Sequence, residues 1–215
     1  MAGETVVTLA ITGTIERGSF ARRVDVVVDE QVVGVVGANG TGKTSLLRVI
    51  AGLDRLSQGT LVVDGEVWDD SSTTSYVPAE TRGVGMVFQD HSLLPFASVL
   101  DNVAFPIRRS GQSRTAARHL ARELLTDANC AHLIDAMPSA LSGGQAQRVC
   151  IVRALATSPR VVLLDEPLSA IDESGVDELR MWLTLRLQST RSHCVLVSHS
   201  RSDIDNMCDN VVTLT

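Results

Sequence analysis

Val32-Val-Gly-Val-Val36, Gly37-Ala-Asn-Gly-Thr-Gly-Lys-Thr44 and Ser45-Leu-Leu-Arg-Val-Ile50 follow one another without a break, and their order decides the fold. The first is an apolar run of the kind carried by a parallel strand buried on both faces. The second fits the pattern G-x-x-x-x-G-K-[ST] at every fixed position. The third has the apolar spacing of a helix and is closed by Gly52. Strand, glycine loop and helix in that order make a phosphate cradle. Backbone N–H groups of the loop and the helix N-terminus aim at the phosphates, Lys43 reaches the β and γ phosphates, and the Thr44 hydroxyl is a ligand for Mg²⁺. Gly37, Asn39, Gly40, Thr41, Gly42, Lys43, Thr44 and Ser45 are the candidate nucleotide-binding residues. A chance glycine-rich turn is the competing reading; the strand before it and the helix after it stand against that reading.

Further along, Val161-Val-Leu-Leu164 reads as a second buried strand and carries Asp165 and Glu166 at its carboxyl end. That is where an open α/β sheet places its ligands. Phosphoryl transfer needs positioning and charge neutralisation more than covalent chemistry. Asp165 would hold Mg²⁺ while Glu166 orients and polarises the attacking water. A helix N-cap on the way into Pro167 is the plainer alternative, and the phosphate loop in the same chain weighs against it.

Between these two stretches stands Leu141-Ser-Gly-Gly-Gln145. Ser142 and the N–H groups around Gly143 and Gly144 make a compact anion-binding turn at the start of a helix expected over 145–156. Three shorter pieces complete the set: Val87-Phe-Gln-Asp90, Ser169-Ala-Ile-Asp172 and Val197-Ser-His199. In this order and spacing the motifs resemble those of the ATP-binding-cassette family, over almost the whole chain. Leu141 to Gln145 is identical to that family's signature, Asp165-Glu166 is similar to its Walker B end, and Ser169 to Asp172 to its D-loop. Gln89 matches its Q-loop glutamine and His199 its switch histidine.

The resemblance implies an ATPase that uses Mg²⁺ and works as a pair. Ser142, Gly143, Gly144, Gln145 and Asp172 would face the γ-phosphate held on a second copy, or on a paralogous cassette, in a head-to-tail dimer. Gln89 would touch Mg²⁺ or the water, and His199 would assist hydrolysis together with Glu166. Bland roles compete with each: an N-cap for Ser142, a solvated loop position for Gln89, a satisfied strand-end ring for His199. The family usually stacks adenine on an aromatic, commonly Tyr, upstream of the phosphate loop. Here that position falls to Phe20, which offers the stacking face without the hydroxyl and could equally be a core or strand-edge residue.

The implied fold is α/β, a P-loop NTPase cassette with a RecA-like core, an antiparallel β subdomain and an inserted helical subdomain. Strands are expected at Val6 to Ala10, Val24 to Val28, Leu61 to Val63, Val84 to Phe88, Cys194 to Val197 and Val211 to Leu214, with Asp64-Gly65 as a turn. From about Asp90 to Ala140 the pattern changes to helix, with Ser113 to Leu125 amphipathic and Arg-rich on its polar face; a further helix is expected over Glu173 to Gln188. The expected division is one domain over 1–215: 1–89 and 141–215 as the α/β core with its β subdomain, and 90–140 as the helical signature subdomain. The cluster Ser71 to Ser75 marks a surface loop.

Composition narrows the function. At 215 residues, 44% apolar and 20% charged, the chain is long enough for one sizeable core. A net charge of −6 and the lack of a basic patch give no electrostatic case for nucleic acid. Cys130, Cys150, Cys194 and Cys208 are far apart, without C-x-x-C pairing, which favours a reduced cytosolic setting. His193, Cys194, His199 and Cys208 do not make a metal site, because Cys194 belongs to an apolar strand and His199 to the switch motif. With neither a signal segment nor a spanning apolar run expected, membrane association would come through a partner.

The stretch Thr81 to Phe96, followed by Ser98-Val-Leu-Asp-Asn-Val103, resembles the surface on which importer cassettes receive a membrane subunit, with Leu93, Leu94 and Phe96 expected as exposed apolar contacts. No heptad array of the kind DNA-repair relatives insert is present, and only one cassette is found. The resemblance therefore points to the ATPase subunit of a membrane importer, peripheral on the cytoplasmic face. Its partners would be integral membrane permease subunits and, indirectly, an extracytoplasmic solute-binding protein. Molybdate-type oxyanion importers are the nearest group. Sulfate, thiamine, iron and polyamine importers share the same features, and a soluble non-transport ATPase is the remaining alternative. A C-terminal regulatory domain is not expected, since the sequence stops at Thr215.

Overall fold

Two sheets of opposite character lie on either side of one helix, in a computed structural model that describes residues 9–215 apart from 19, 74, 91 and 191. The first sheet is antiparallel. It is built from β1 (Leu9–Arg17), β2 (Phe20–Val28), β4 (Gln58–Val63), β5 (Glu66–Asp70) and β6 (Ser75–Tyr76), in the order β2-β1-β4-β5-β6. The second is parallel, in the order β10-β3-β9-β8-β7, from β3 (Val32–Val36), β7 (Val84–Val87), β8 (Val161–Asp165), β9 (His193–Val197) and β10 (Asn210–Thr213). Between them lies α1 (Lys43–Ala51), in contact with β1 on one side and with β8 and β9 on the other.

The parallel strands are apolar on both faces because both are covered. Val161, Leu163, Val195 and Val197 pack with Leu46, Leu47 and Ile50 of α1 and with Leu9, Ile11 and Leu61 of the antiparallel sheet. Val162, Leu164, Cys194 and Leu196 point the other way, into a core shared with α2 (Val99–Arg109), α3 (Arg114–Asp127), α4 (Gly143–Leu155) and α5 (Glu173–Thr190). A short α6 (Arg201–Met207) follows β9 and adds Ile204 and Met207 to that second core. The parallel topology brings the ends of β3, β8 and β9 to one edge, and the loops that follow them build the site.

Several boundaries move from the sequence expectation. Of the first strand, residues 6–8 lie outside the described residues, and β1 continues to Arg17, past the expected end at Ala10. β2 begins at Phe20 rather than Val24, because Arg17 pairs with Phe20 across a tight hairpin, and the exposed Ala21 and Arg23 gave no apolar run to read. β4 begins at Gln58. The Asp64-Gly65 turn is there, with φ of 53° and 76°, and it leads into β5, which the acidic stretch Glu66-Val-Trp-Asp-Asp70 had hidden. The Ser71–Ser75 turn follows β5, with residue 74 outside the described set.

Leu93 does not offer an exposed contact. It is 9% exposed, packed into the core shared with Val99 and Val103, while Phe96 is 80% exposed. The turn ahead of α2 is pinned by the buried Asn102, whose side chain bonds both the N–H and the carbonyl of Leu94. That clamp folds residue 93 inward and leaves 96 at the tip.

Arg82, 1% exposed, ties the antiparallel sheet to α1. Its guanidinium donates to the carbonyls of Val49 and Ile50 at the carboxyl end of α1, to Val77, and to Trp68 of β5. It also lies over the rings of Trp68 and Tyr76. A cation here meets the negative end of the α1 dipole, which offsets part of the cost of burying it; that burial still lowers the guanidinium's proton affinity.

Candidate functional site

A cavity of about 670 Å³ opens where β3 ends and α1 begins. Gly42 caps α1 in a left-handed conformation at φ 97°, and a Cβ there would come within 2.8 Å of the Phe20 ring. Glycine is needed twice at this point, for the turn and for the approach of the ring. The first N–H groups of α1 have no partner inside the helix and face the cavity with the positive end of its dipole. Lys43 Nζ reaches back over the loop, donating to the carbonyls of Gly37 at 2.8 Å and Ala38 at 3.0 Å. Thr41 is buried and holds the Ala38 carbonyl from the other side at 3.0 Å.

Thr44 Oγ1 donates to Asp165 Oδ2 at 2.8 Å, which joins the start of α1 to the end of β8. Burial raises the Asp165 carboxyl above the usual range, only partly opposed by Thr44, Lys43 and His199. A buried carboxylate and a hydroxyl side by side are hard oxygen donors, and the pair suits Mg²⁺, which takes one or two protein oxygens and completes its shell with phosphate and water.

Glu166 follows with φ of 52°, a left-handed conformation that is costly for a residue with a Cβ. Its backbone is over-determined: the N–H bonds the Val197 carbonyl at 2.9 Å, and the carbonyl accepts from Ser169 Oγ at 2.9 Å. Gln147, buried in α4, donates to the neighbouring Pro167 carbonyl at 2.9 Å. These bonds turn the carboxylate into the cavity. There Oε1 is buried without a hydrogen-bond partner and lies 3.5 Å from His199 Nε2. Burial again dominates and raises the Glu166 carboxyl, opposed by the His199 backbone N–H and ring.

Phe20, Asn39, Gly40, Gly42, Lys43, Thr44, Ser45, Gln89, Asp165, Glu166 and His199 all line this cavity. Gly37 and Thr41 support its loop from behind: Gly37 packs on the Leu214 carbonyl, where a Cβ would come to 2.5 Å. Ser142, Gly143, Gly144, Gln145 and Asp172 are elsewhere, around a second cavity of about 510 Å³. There Ser142 Oγ accepts from the Gln145 N–H at 3.2 Å, and Gln145 Oε1 accepts from the Ser142 N–H at 3.0 Å, a reciprocal cap at the start of α4. The cap and the anion-binding turn coexist, because the N–H groups of Gly143 and Gly144 stay outside the helix ladder. Among the described residues, none lines both cavities.

Arg17, Ser169 and Val197 also line the first cavity, and Arg148 lines the second. Nothing in the sequence singled out Arg17, which the β1–β2 hairpin brings to the cavity by pairing it with Phe20. Gln147 and Arg148 follow closely on the stretch Leu141 to Gln145, but nothing in their spacing signals a role.

Residues 25–169 match a family model described as ABC transporter. Among curated proteins the chain is similar to the molybdenum import ATP-binding protein ModC of Methylococcus capsulatus, 41% identical over 85% of this chain and 50% of that protein. It is also similar to the sulfate/thiosulfate import ATP-binding protein CysA of Salmonella typhi, 38% identical over 86% of this chain and 50% of that one. The chain thus spans about half the length of the curated relatives it matches. Among solved structures it is similar to a dimeric post-hydrolysis state of the ATP-binding cassette MJ0796 bound to ADP and Pi. That likeness has a TM-score of 0.80 and 28% identity, covering 96% of this chain and 94% of that one.

Proposed function

The chain belongs to the ABC transporter family, and from that premise we propose that it is the ATP-hydrolysing part of a membrane importer for a tetrahedral oxyanion, molybdate first. The observation that carries the ATPase reading is the single cavity in which Lys43, the Thr44–Asp165 pair and the buried, unpartnered Glu166 Oε1 converge. The α1 N-terminus and Lys43 bind the phosphates of ATP, and Phe20 stacks the base. Thr44 Oγ1 and Asp165 would hold Mg²⁺, which would supply positive charge to neutralise the phosphates. Glu166 Oε1 accepts a hydrogen bond from the attacking water and aims it at the γ-phosphorus. Gln89 lies within reach of that water, and the His199 ring meets the γ-phosphate from the other side.

The second cavity completes the account. Ser142, Gly143 and Gly144 line a cavity that shares no described residue with the phosphate-loop cavity, and they serve the nucleotide of a second copy. Two copies close head to tail over two ATP molecules, and hydrolysis reopens them. Each copy works as one cassette in which residues 90–140 form the helical arm that carries the signature turn. No helix among the described residues is long and apolar enough to cross a membrane. On the likeness to import ATP-binding proteins, the motion is passed to permease subunits docked from the cytoplasmic side. Phe96 stands at the tip of the turn that would meet them.

Molybdate is the first substrate because of the likeness to ModC. Sulfate is the second, on the comparable likeness to CysA, and both are tetrahedral dianions. The test is a mild-detergent pull-down of the tagged chain from its native membranes, followed by transport assays on what co-purifies. A stoichiometric multi-spanning partner that takes up molybdate or sulfate with ATP is the expected result. Recovery of soluble proteins or nucleic acid alone would overturn the importer reading in favour of a soluble ATPase.

A further inference from the structure

One buried charged network outside the cavity ends on the loop that carries His199. Asp203, in the first turn of α6, is 5% exposed, and its carboxylate is fully engaged. Oδ2 accepts from Ser198 Oγ at 3.0 Å, and Oδ1 accepts from Arg180 Nη2 of α5 at 2.9 Å. Ser198 Oγ in turn accepts from the Ser200 N–H at 3.1 Å. The residues on both sides of His199 are therefore stapled to one carboxylate. The histidine side chain itself is 56% exposed, so packing does little to hold its ring, and its direction comes from the backbone.

The cap of α6 does not account for this arrangement. That cap is Ser200 Oγ accepting from the Asp203 backbone N–H, which needs no carboxylate at position 203. A buried ion pair is also a poor source of stability when an apolar pair of the same size would serve. Asp203, Arg180 and Ser198 do not line the nucleotide cavity. Asp203 and Arg180 share a neighbouring cavity with Glu166 and Ser169, but the bonded route from Asp203 to the site runs through Ser198 to His199.

We propose that Asp203, braced by Arg180 and acting through Ser198, is a positioning residue that aims the His199 ring at Glu166 and the reacting phosphate. This rests on the ATPase reading above. The experiment compares steady-state ATP hydrolysis with Mg²⁺ by the wild type, Asp203→Asn, His199→Ala and the double variant. Asp203→Asn is expected to lower kcat about tenfold with KM nearly unchanged, and to cost nothing further in the His199→Ala background. Asp203→Glu is expected to recover part of the loss. Ser198→Ala, which removes a single hydroxyl, repeats the comparison if Asp203→Asn does not fold.

An unchanged kcat, a loss that falls on KM, or losses that multiply in the double variant would overturn the positioning role while leaving the ATPase reading intact. Absence of turnover in the wild type would overturn both.

Discussion

Glu166 carries an electrostatic cost in the site, since its carboxylate is drawn out of water and one oxygen is left without a hydrogen bond. Its raised proton affinity means that the folded state holds the proton more tightly than the unfolded chain. Its ionisation therefore costs stability as pH rises from the usual carboxylate range through the raised value. In the nucleotide-free protein, Glu166→Gln is expected to raise the melting temperature at neutral pH, and the gain should shrink as pH falls into the carboxylate range. A melting temperature equal to or below wild type at neutral pH would contradict the burial argument. Lys43 makes the opposite case, a charge the fold keeps for a ligand. Lys43→Ala should weaken ATP binding by about 3 kcal/mol, roughly a hundredfold in Kd, when titrated by calorimetry. Residues of this kind were legible in the sequence because phosphate chemistry fixes their types in contiguous runs. Gln147 and Asp203 were not, because Pro167 and Arg180 lie 20 and 23 residues away and only folding brings them together; Arg17 belongs to no motif and reaches the cavity through the β1–β2 hairpin.

Among the elements, the strands of the parallel layer could be read from the sequence almost to their ends, because burial on both faces writes a continuous apolar run; α6 had no such signal. The antiparallel layer was harder to read. β5 pairs through Glu66-Val-Trp-Asp-Asp70, where Trp68 and Asp69 are fully buried. Asp69 survives there because its carboxylate accepts from the Leu56 N–H at 2.9 Å and from Arg55 at 3.2 Å. A buried carboxylate with partners from another loop looks like a surface residue until the loop is placed. Arg82 is the same problem with the sign reversed: a cation at the centre of three elements. Arg82→Ala is expected to lower unfolding free energy by about 3–5 kcal/mol in urea, since it leaves the carbonyls of Val49, Ile50, Val77 and Trp68 without their donor. A change under about 1 kcal/mol would mean that water replaces the guanidinium and that the three elements do not depend on it.

For the whole molecule, the separation of the two cavities is the central fact. Lys43 and Glu166 line one, Ser142 and Asp172 the other, and no described residue is shared. The spacing of the motifs announced that all the parts were present, but not that one subunit would hold its signature turn away from its own phosphate loop; the resemblance to a known family supplied that expectation. The likeness to a dimeric cassette bound to ADP and Pi supports the same arrangement. The most direct test is the mass in solution of the Glu166→Gln chain, with bound nucleotide quantified in the same peak. With ATP and Mg²⁺ it should run as a dimer that holds two ATP molecules, and as a monomer without nucleotide. A monomer that has ATP bound would contradict the clamp, and with it the role given to Ser142.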